Sequence, residues 1–358
     1  MNAPQLKERL ALLRGRRVLV TGHTGFKGSW LTLWLNELGA QVSGIALDPH
    51  TDPSLYLVAK CAGQLADYRH DIRDAAAVAR IFAEVQPEIV LHLAAQPLVR
   101  ASYTQSRETF EINVMGTVNV MEAARDTESV RVFVHVGTDK VYENIEQARG
   151  YSESDPLGGH DPYSASKAAA EIAFQSYQRS FFNVKGRPLA ASGRAGNVIG
   201  GGDWAKDRIV PDAVRALSEG VPIAVRNPAS TRPWQHVLEA LSGYLTLAAD
   251  LMNGNERALG SWNFGPPDDN VKQVGDLVTS LIAAWGSGTW SHVSESGAVH
   301  EAKLLTLSCE KAARELQWHP RWDFEETIRR VADWYKALHR GSDAATLCRR
   351  DIQAYMEG

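Results

Sequence analysis

Tyr163 and Lys167 stand four residues apart in the segment PYSASKAAAEIAFQSYQRSF, so on a helix both side chains lie on one face. A tyrosine with the ordinary pKa of about 10 is a poor base at neutral pH. An ammonium one turn away favours the phenolate. A phenolate can take the proton from a substrate hydroxyl as hydride leaves the same carbon. Tyr-x-x-x-Lys alone arises by chance in many helices. It gains weight here from Thr138, a hydroxyl at the end of the strand pattern VRVFVHVGT, and from a glycine turn near the N-terminus.

That turn reads Thr21-Gly22-His23-Thr24-Gly25-Phe26-Lys27-Gly28, between the strand pattern RRVLVTG and the helix pattern GSWLTLWLNELGA. Glycines three apart permit a tight turn and close approach of backbone N–H groups to a pyrophosphate, and the helix start adds partial positive charge. Gly22, Thr24, Gly25, Phe26 and Gly28 are therefore expected to hold a dinucleotide. The spacing is GxxGxxG rather than GxGxxG, and its position after the first strand is what points to a cofactor. Asp48 ends the second strand pattern, QVSGIALD, about 20 residues past the glycines, where an acid binds a ribose diol. A carboxylate there repels the 2′-phosphate of NADP and so favours NAD, although His50 leaves that choice open. Asp71, in HDIRD, either bonds the adenine amino group or caps a helix. Its neighbour Ile72 and Ala94, in EIVLHLAA, complete the expected cofactor contacts.

The elements that must position these residues alternate in type. Short apolar runs (RRVLVTG, QVSGIALD, EIVLHLAA, VRVFVHVGT) are separated by helical patterns (AAAVARIFAEVQP, TFEINVMGTVNVMEAAR). Such alternation predicts βαβ units, hence an α/β fold with a doubly wound parallel sheet and ligand loops at the carboxyl ends of the strands. After about residue 195 the rhythm loosens, and Gly, Pro, Arg and Trp become frequent. The expected division is a dinucleotide-binding domain of residues 1–193 plus about 234–264, with the chain returning to the sheet near SWNFG. A smaller substrate lobe takes about 194–233 plus 265–358.

Composition excludes several classes. A net charge of −4 is unsuited to bulk nucleic-acid binding, which needs a concentrated basic surface. No apolar run approaches the roughly 18–20 residues of a membrane span. Three scattered cysteines give neither a disulfide framework nor a zinc site, and His23, His92, His135, His160 and His236 lack ligand spacing. No metal is expected. The N-terminal segment has leucines at helical spacing and no apolar signal run, so the expected location is cytoplasmic.

With TGHTGFKG, HLAAQ, NVMGT, VGTDKVY, YSASK, RAGNVIGGGD, RPWQHV, LQWHP and DWY in this order, nearly the whole chain resembles the extended short-chain dehydrogenases/reductases. The resemblance implies a Rossmann domain binding NAD, with Asn113 supporting the active site through water and Thr138 bonding the reacting sugar hydroxyl. It also implies that Gln96, Arg194, Asn197, Arg208 and Arg232 bind the nucleotide sugar. Arginine's planar fork suits the pyrophosphate. A homodimer paired through helices around 105–125 and 162–180 is likewise implied.

Within that family Thr138-Asp139-Lys140 separates the reactions. In members that remove water across C5 and C6 of a nucleotide-linked hexose, the acid after the threonine protonates the departing 6-hydroxyl, and the next residue, usually Glu, takes the C5 proton. Here Asp139 is present but Lys140 stands at the Glu position. Together with HLAAQPLVRASY and GGGDWAKDRIVPD, this implies CDP-glucose, or a related nucleotide sugar, as substrate. Tyr163, Thr138 and Lys167 then serve oxidation at C4, and hydride returns to C6. A protonated lysine accepts no proton, so Lys140 is either a C5 base kept neutral by burial and neighbouring cations or a cation stabilising the enolate. An epimerase or reductase on the same fold loses no water. A non-catalytic NAD-binding regulator has no need of Thr138, Tyr163 and Lys167. Trp318, Trp322 and Trp334 are expected to fill a core rather than form an interaction surface.

Overall fold

The β-branched runs become strands because parallel strands covered by helices on both sides bury both faces. In the computed structural model, which describes residues 2–266, 270–293 and 304–358, the central sheet has seven strands. They are β1 (Arg17–Thr21), β2 (Gln41–Ala46), β3 (Ala66–Arg69), β4 (Ile89–His92), β5 (Val132–Val136), β6 (Leu189–Ala195) and β7 (Gly260–Phe264). Their order is β7-β6-β5-β4-β1-β2-β3, all parallel. Every residue of β4 and β5 is buried. The order turns back between β1 and β4, the switch point where an open α/β sheet makes its ligand crevice.

The helices follow from their signals. α1 (Ala3–Leu10) starts on an Asn2 capping box, and α2 (Phe26–Glu37) begins within the glycine turn. α3 (Ala75–Val85) is capped by Asp74, whose side chain accepts from the Ala77 N–H. The stretch expected as one long helix at 109–125 is instead a helix at Ser106–Phe110, a π-turn at Glu111–Gly116 and α4 (Thr117–Asp126). π-turns cluster at functional sites, and this one carries Asn113. α5 (Pro162–Ser180) has Pro162 in its first turn, and Asp161 caps it by accepting from the Ser164 N–H.

β6 continues through Ala195, so the expected break after residue 193 falls inside a sheet strand. The chain rejoins the sheet through α6 (Val237–Met252), whose sixteen residues are all buried, and then β7. A largely apolar helix buried on every side, Glu239 and Asp250 included, belongs inside a core. Trp318, Trp322 and Trp334 are buried in the same core. Among the described residues, no helix is long and apolar enough to cross a membrane.

Candidate active site

The glycine turn forms a cradle at the β1–α2 junction. Gly22 has a left-handed φ of 77°, and a Cβ there would lie 2.8 Å from the Ala94 nitrogen. A Cβ on Gly28 would lie 2.1 Å from the Gly22 carbonyl oxygen. Both positions exclude any side chain, while Gly25 caps α2 without a side-chain acceptor of its own. The first-turn N–H groups of α2 are thus exposed to an anion, the chemistry a dinucleotide pyrophosphate needs. Thr24 ties the turn to the end of β2 by donating to the Leu47 carbonyl (2.9 Å), and Ala94 N–H donates to Thr21 Oγ1 (3.1 Å). Phe26 approaches the Gly200 backbone, and Ile72 is buried against Gly116 of the π-turn.

Asp48 projects into solvent just past β2, its side chain 91% exposed, with Arg69 Nη1 at 3.2 Å. Arg69 also donates to Asp67. The Asp48 carboxylate is therefore presented outward with a cation already oriented toward it. Asp71 is bonded to the Arg73 guanidinium (2.7 Å) and accepts the Arg73 N–H. It does not cap α3, a task that falls to Asp74.

Thr138 lies two residues past β5 and caps a short turn, Asp139–Val141. Its hydroxyl donates to Asp139 Oδ1 (2.9 Å) and accepts the Lys140 N–H. Asp139 is buried and Lys140 half-buried. Tyr163 enters from the first turn of α5, where Ser102 Oγ accepts its backbone N–H. Lys167, one turn on, is buried, and its ammonium donates to the Val136 carbonyl at 3.1 Å. Burial lowers the Lys167 pKa to about 8, with the Glu171 carboxylate opposing. Asn113 locks the π-turn onto α5. It donates to Ser166 Oγ (2.8 Å) and accepts the Gln96 N–H (2.7 Å).

Two expectations need correcting. In the protein alone the phenol of Tyr163 is raised rather than lowered. Burial, seconded by the Asp139 carboxylate, pushes it up to about 12, and Thr138 and Arg208 offset this only in part. Arg194 does not face a pyrophosphate. Its side chain is fully buried and bonds Glu171 (2.8 Å) and the Tyr142 hydroxyl (2.8 Å). Glu171, i+4 from Lys167 on α5, is buried as well, with His135 Nε2 3.8 Å from its second oxygen. A buried arginine survives only when paired, and the partner was visible in the sequence solely as one more glutamate on a helix.

The remaining substrate candidates are more dispersed. Gln96 spends its side-chain amide on Thr109 Oγ1 (2.9 Å) within the protein. Asn197 follows β6 at the strand end, half-buried. Arg208 is anchored by Asp203 (2.9 Å), and its charge reaches Tyr163 and His50. Arg232 lies in the strand Thr231–Pro233, paired antiparallel with Val271–Gln273, and donates to the Thr231 carbonyl (2.8 Å). A cation that sequence reasoning passed over is Lys27. Its amine lies 5.8 Å from the Tyr244 ring centroid, with the charges of Arg208, Asp139 and Lys167 acting on it. The signal was a charged residue in the apolar half of the turn.

The model of the family described as GDP-mannose 4,6 dehydratase matches residues 19–331. The chain belongs to that family. It is 46% identical over 347 residues to the CDP-glucose 4,6-dehydratase of Salmonella typhimurium, covering 96% of this chain and 97% of that protein. The dTDP-glucose 4,6-dehydratase of Streptomyces antibioticus is 31% identical over 336 residues, 89% of this chain and 92% of that protein. Among solved structures, the dTDP-glucose 4,6-dehydratase of Streptomyces venezuelae with NAD bound superposes with a TM-score of 0.75 at 25% identity, covering 92% of this chain and 99% of that one.

Proposed function

We propose that this enzyme removes water from CDP-glucose to give CDP-4-keto-6-deoxyglucose, with NAD as its resident cofactor. The observation that carries the reading is the 46% identity to a CDP-glucose 4,6-dehydratase over nearly the full length of both chains. The site is consistent with it, because Thr138, Asp139, Tyr163 and Lys167 converge at the end of β5. The steric cradle of Gly22 and Gly28 fits a dinucleotide. When bound, NAD accepts the hydride of C4 and later supplies it to C6, and its positive ring favours the Tyr163 phenolate.

Tyr163 takes the proton of the 4-hydroxyl, with Thr138 holding that hydroxyl by hydrogen bonding. Lys167, pinned by Val136, supplies a cation beside the departing proton. The C4 ketone acidifies the C5 hydrogen. Asp139, buried behind Thr138, takes up a proton before this step, gives it to the departing 6-hydroxyl and is left as the carboxylate. Lys140 removes the C5 proton or stabilises the resulting enolate. The pyrophosphate and sugar are assigned to the segments around Asn197, Arg208 and Arg232, so that 194–233 and 265–358 shape the substrate lobe. The surface supports pairing of two copies through the π-turn and α5, where Met115 and Ile172 expose 54% and 55% of their area. Three free cysteines, two of them buried, suit the reducing cytoplasm.

Incubation with NAD and, in parallel, CDP-, dTDP-, UDP- and GDP-hexoses, followed by mass spectrometry, tests the reading. Loss of one water from CDP-glucose, with no net accumulation of reduced cofactor, is expected. An unchanged mass for every substrate overturns the dehydratase assignment, and loss of water only from another nucleotide overturns the cytidine assignment.

A further inference from the structure

We infer that Glu171 is the positioning residue that keeps Lys167 charged, through the carboxylate oxygen that Arg194 leaves unbonded. The inference deepens the dehydratase reading above and rests on Lys167 serving Tyr163. Glu171 follows Lys167 by one turn of α5 and is fully buried. Its two oxygens are used unequally. Oε1 accepts from Arg194 Nη2 (2.8 Å) and Nε (3.2 Å), from Ser192 Oγ (2.5 Å) and from Ser261 Oγ (3.1 Å). Oε2 accepts no hydrogen bond among the described residues. A buried carboxylate oxygen without a donor is costly and calls for a functional reason.

Oε2 lies beside the catalytic end of β5, where a Cβ on Gly137 would come within 3.2 Å of it. Gly137 directly follows Val136, whose carbonyl holds the Lys167 ammonium at 3.1 Å. His135 Nε2 stands 3.8 Å from Oε2, and neither ring nitrogen of His135 has a hydrogen-bond partner among the described residues. Burial, seconded by the charges of Lys167 and Arg194, holds His135 well below its ordinary pKa. The ring is therefore neutral and leaves the charge of Oε2 to Lys167. The titratable groups around Lys167 come from each element packed on it. They are Tyr163 and Glu171 on α5, His135 on β5, His92 on β4 and Lys27 on α2. His92 is also held neutral, chiefly by burial, and Lys27 is a second cation. Of these groups Glu171 alone supplies negative charge.

Burial lowers the Lys167 pKa to about 8 even with that support, so the ammonium survives at neutral pH by a narrow margin. Without Glu171 the margin closes and Lys167 turns neutral. The Tyr163 phenol, which burial pushes up to about 12, then loses the cation that favours its phenolate.

The test follows the titration of lysine side chains, isotope-labelled at Cε, by NMR in the enzyme without sugar nucleotide. Lys167→Met identifies the resonance, and thermal melts verify folding. The same variants are assayed for water loss from CDP-glucose across pH. In wild type Lys167 is expected to titrate near 8. In Glu171→Gln it is expected to titrate lower by about one unit or more, and the alkaline limb of activity to follow it down. Because Glu171→Gln strands Arg194, the double variant Glu171→Met/Arg194→Met repeats the comparison without a stranded charge. Arg194→Met keeps the carboxylate and is expected to leave Lys167 titrating no lower than in wild type. If the double variant melts as a folded protein with the Lys167 titration unmoved, Glu171 is only the partner of Arg194 and the inference fails. A fall in Arg194→Met equal to that in Glu171→Gln also overturns it. Inactivity of wild type toward CDP-glucose defeats the dehydratase reading, while the titration still decides the role of Glu171.

Discussion

Replacing Arg194 by Met separates a structural role from a substrate-binding one. The guanidinium is fully buried against Glu171, which in wild type also accepts from Ser192 Oγ (2.5 Å) and Ser261 Oγ (3.1 Å). Removing one member of a buried ion pair leaves the other charge unpaired and costs about 3–5 kcal/mol. The two serine hydroxyls remain to solvate Glu171, which places the loss toward the lower end. Losing the bond to the Tyr142 hydroxyl adds about 1 kcal/mol to that loss. A net loss of about 4 kcal/mol lowers the folded-to-unfolded ratio roughly a thousandfold. The double variant Arg194→Met/Glu171→Met removes the stranded charge and is expected to recover most of the loss, because an apolar pair of similar volume is often as stable as the ions. Urea unfolding followed by tryptophan fluorescence measures both. The affinity of the single variant for CDP, titrated well below its unfolding midpoint, is expected to match wild type. Unchanged stability combined with weakened CDP binding refutes the buried-pair account and returns Arg194 to the pyrophosphate.

Asp139→Asn fits the same buried volume but has no proton to give. Water loss is expected to fall by about 10²–10⁴-fold, while C4 oxidation persists and is visible as absorbance of reduced nicotinamide. Lys140→Met is expected to stop elimination with partial C4 oxidation intact, and turnover equal to wild type excludes both roles assigned to that lysine. Lys27 and Lys167 are both held near 8 against an ordinary 10.5, chiefly by burial. Between about 8 and 10.5 the unfolded chain binds protons at these lysines that the folded chain has lost, so their contribution to stability rises with pH over that window. Thermal melts from pH 7 to 10 are expected to show a shallower rise in Lys167→Met than in wild type. That variant is expected to melt higher than wild type at pH 7 and to lack activity.

The strands and the helices that carry the motifs were legible because burial on both faces writes β-branched runs, and because caps such as Asp161-Pro162 announce helix starts. The four residues proposed to act on the sugar, Thr138, Asp139, Tyr163 and Lys167, stand out in the sequence because they lie just past a strand or near a helix start, where the pattern breaks. The π-turn at Glu111–Gly116 was not, because a one-residue widening leaves apolar periodicity almost unchanged over so short a stretch. Arg194 was misassigned because a sequence shows a charge but not its burial, and its partner Glu171 lies on another element. Lys27 was hidden inside a motif read for its glycines. Gln96 spends its amide on Thr109, 13 residues further along the chain, a pairing no local pattern announces.

The most direct test of the central claim uses CDP-glucose labelled with deuterium at C4. Tyr163, Thr138 and Asp139 as placed here predict that the label leaves C4 and reappears at C6 of the 4-keto product within the same molecule, with one water lost. Deuterium retained at C4, or released to solvent, contradicts the account, because in either case no hydride has travelled from C4 to C6.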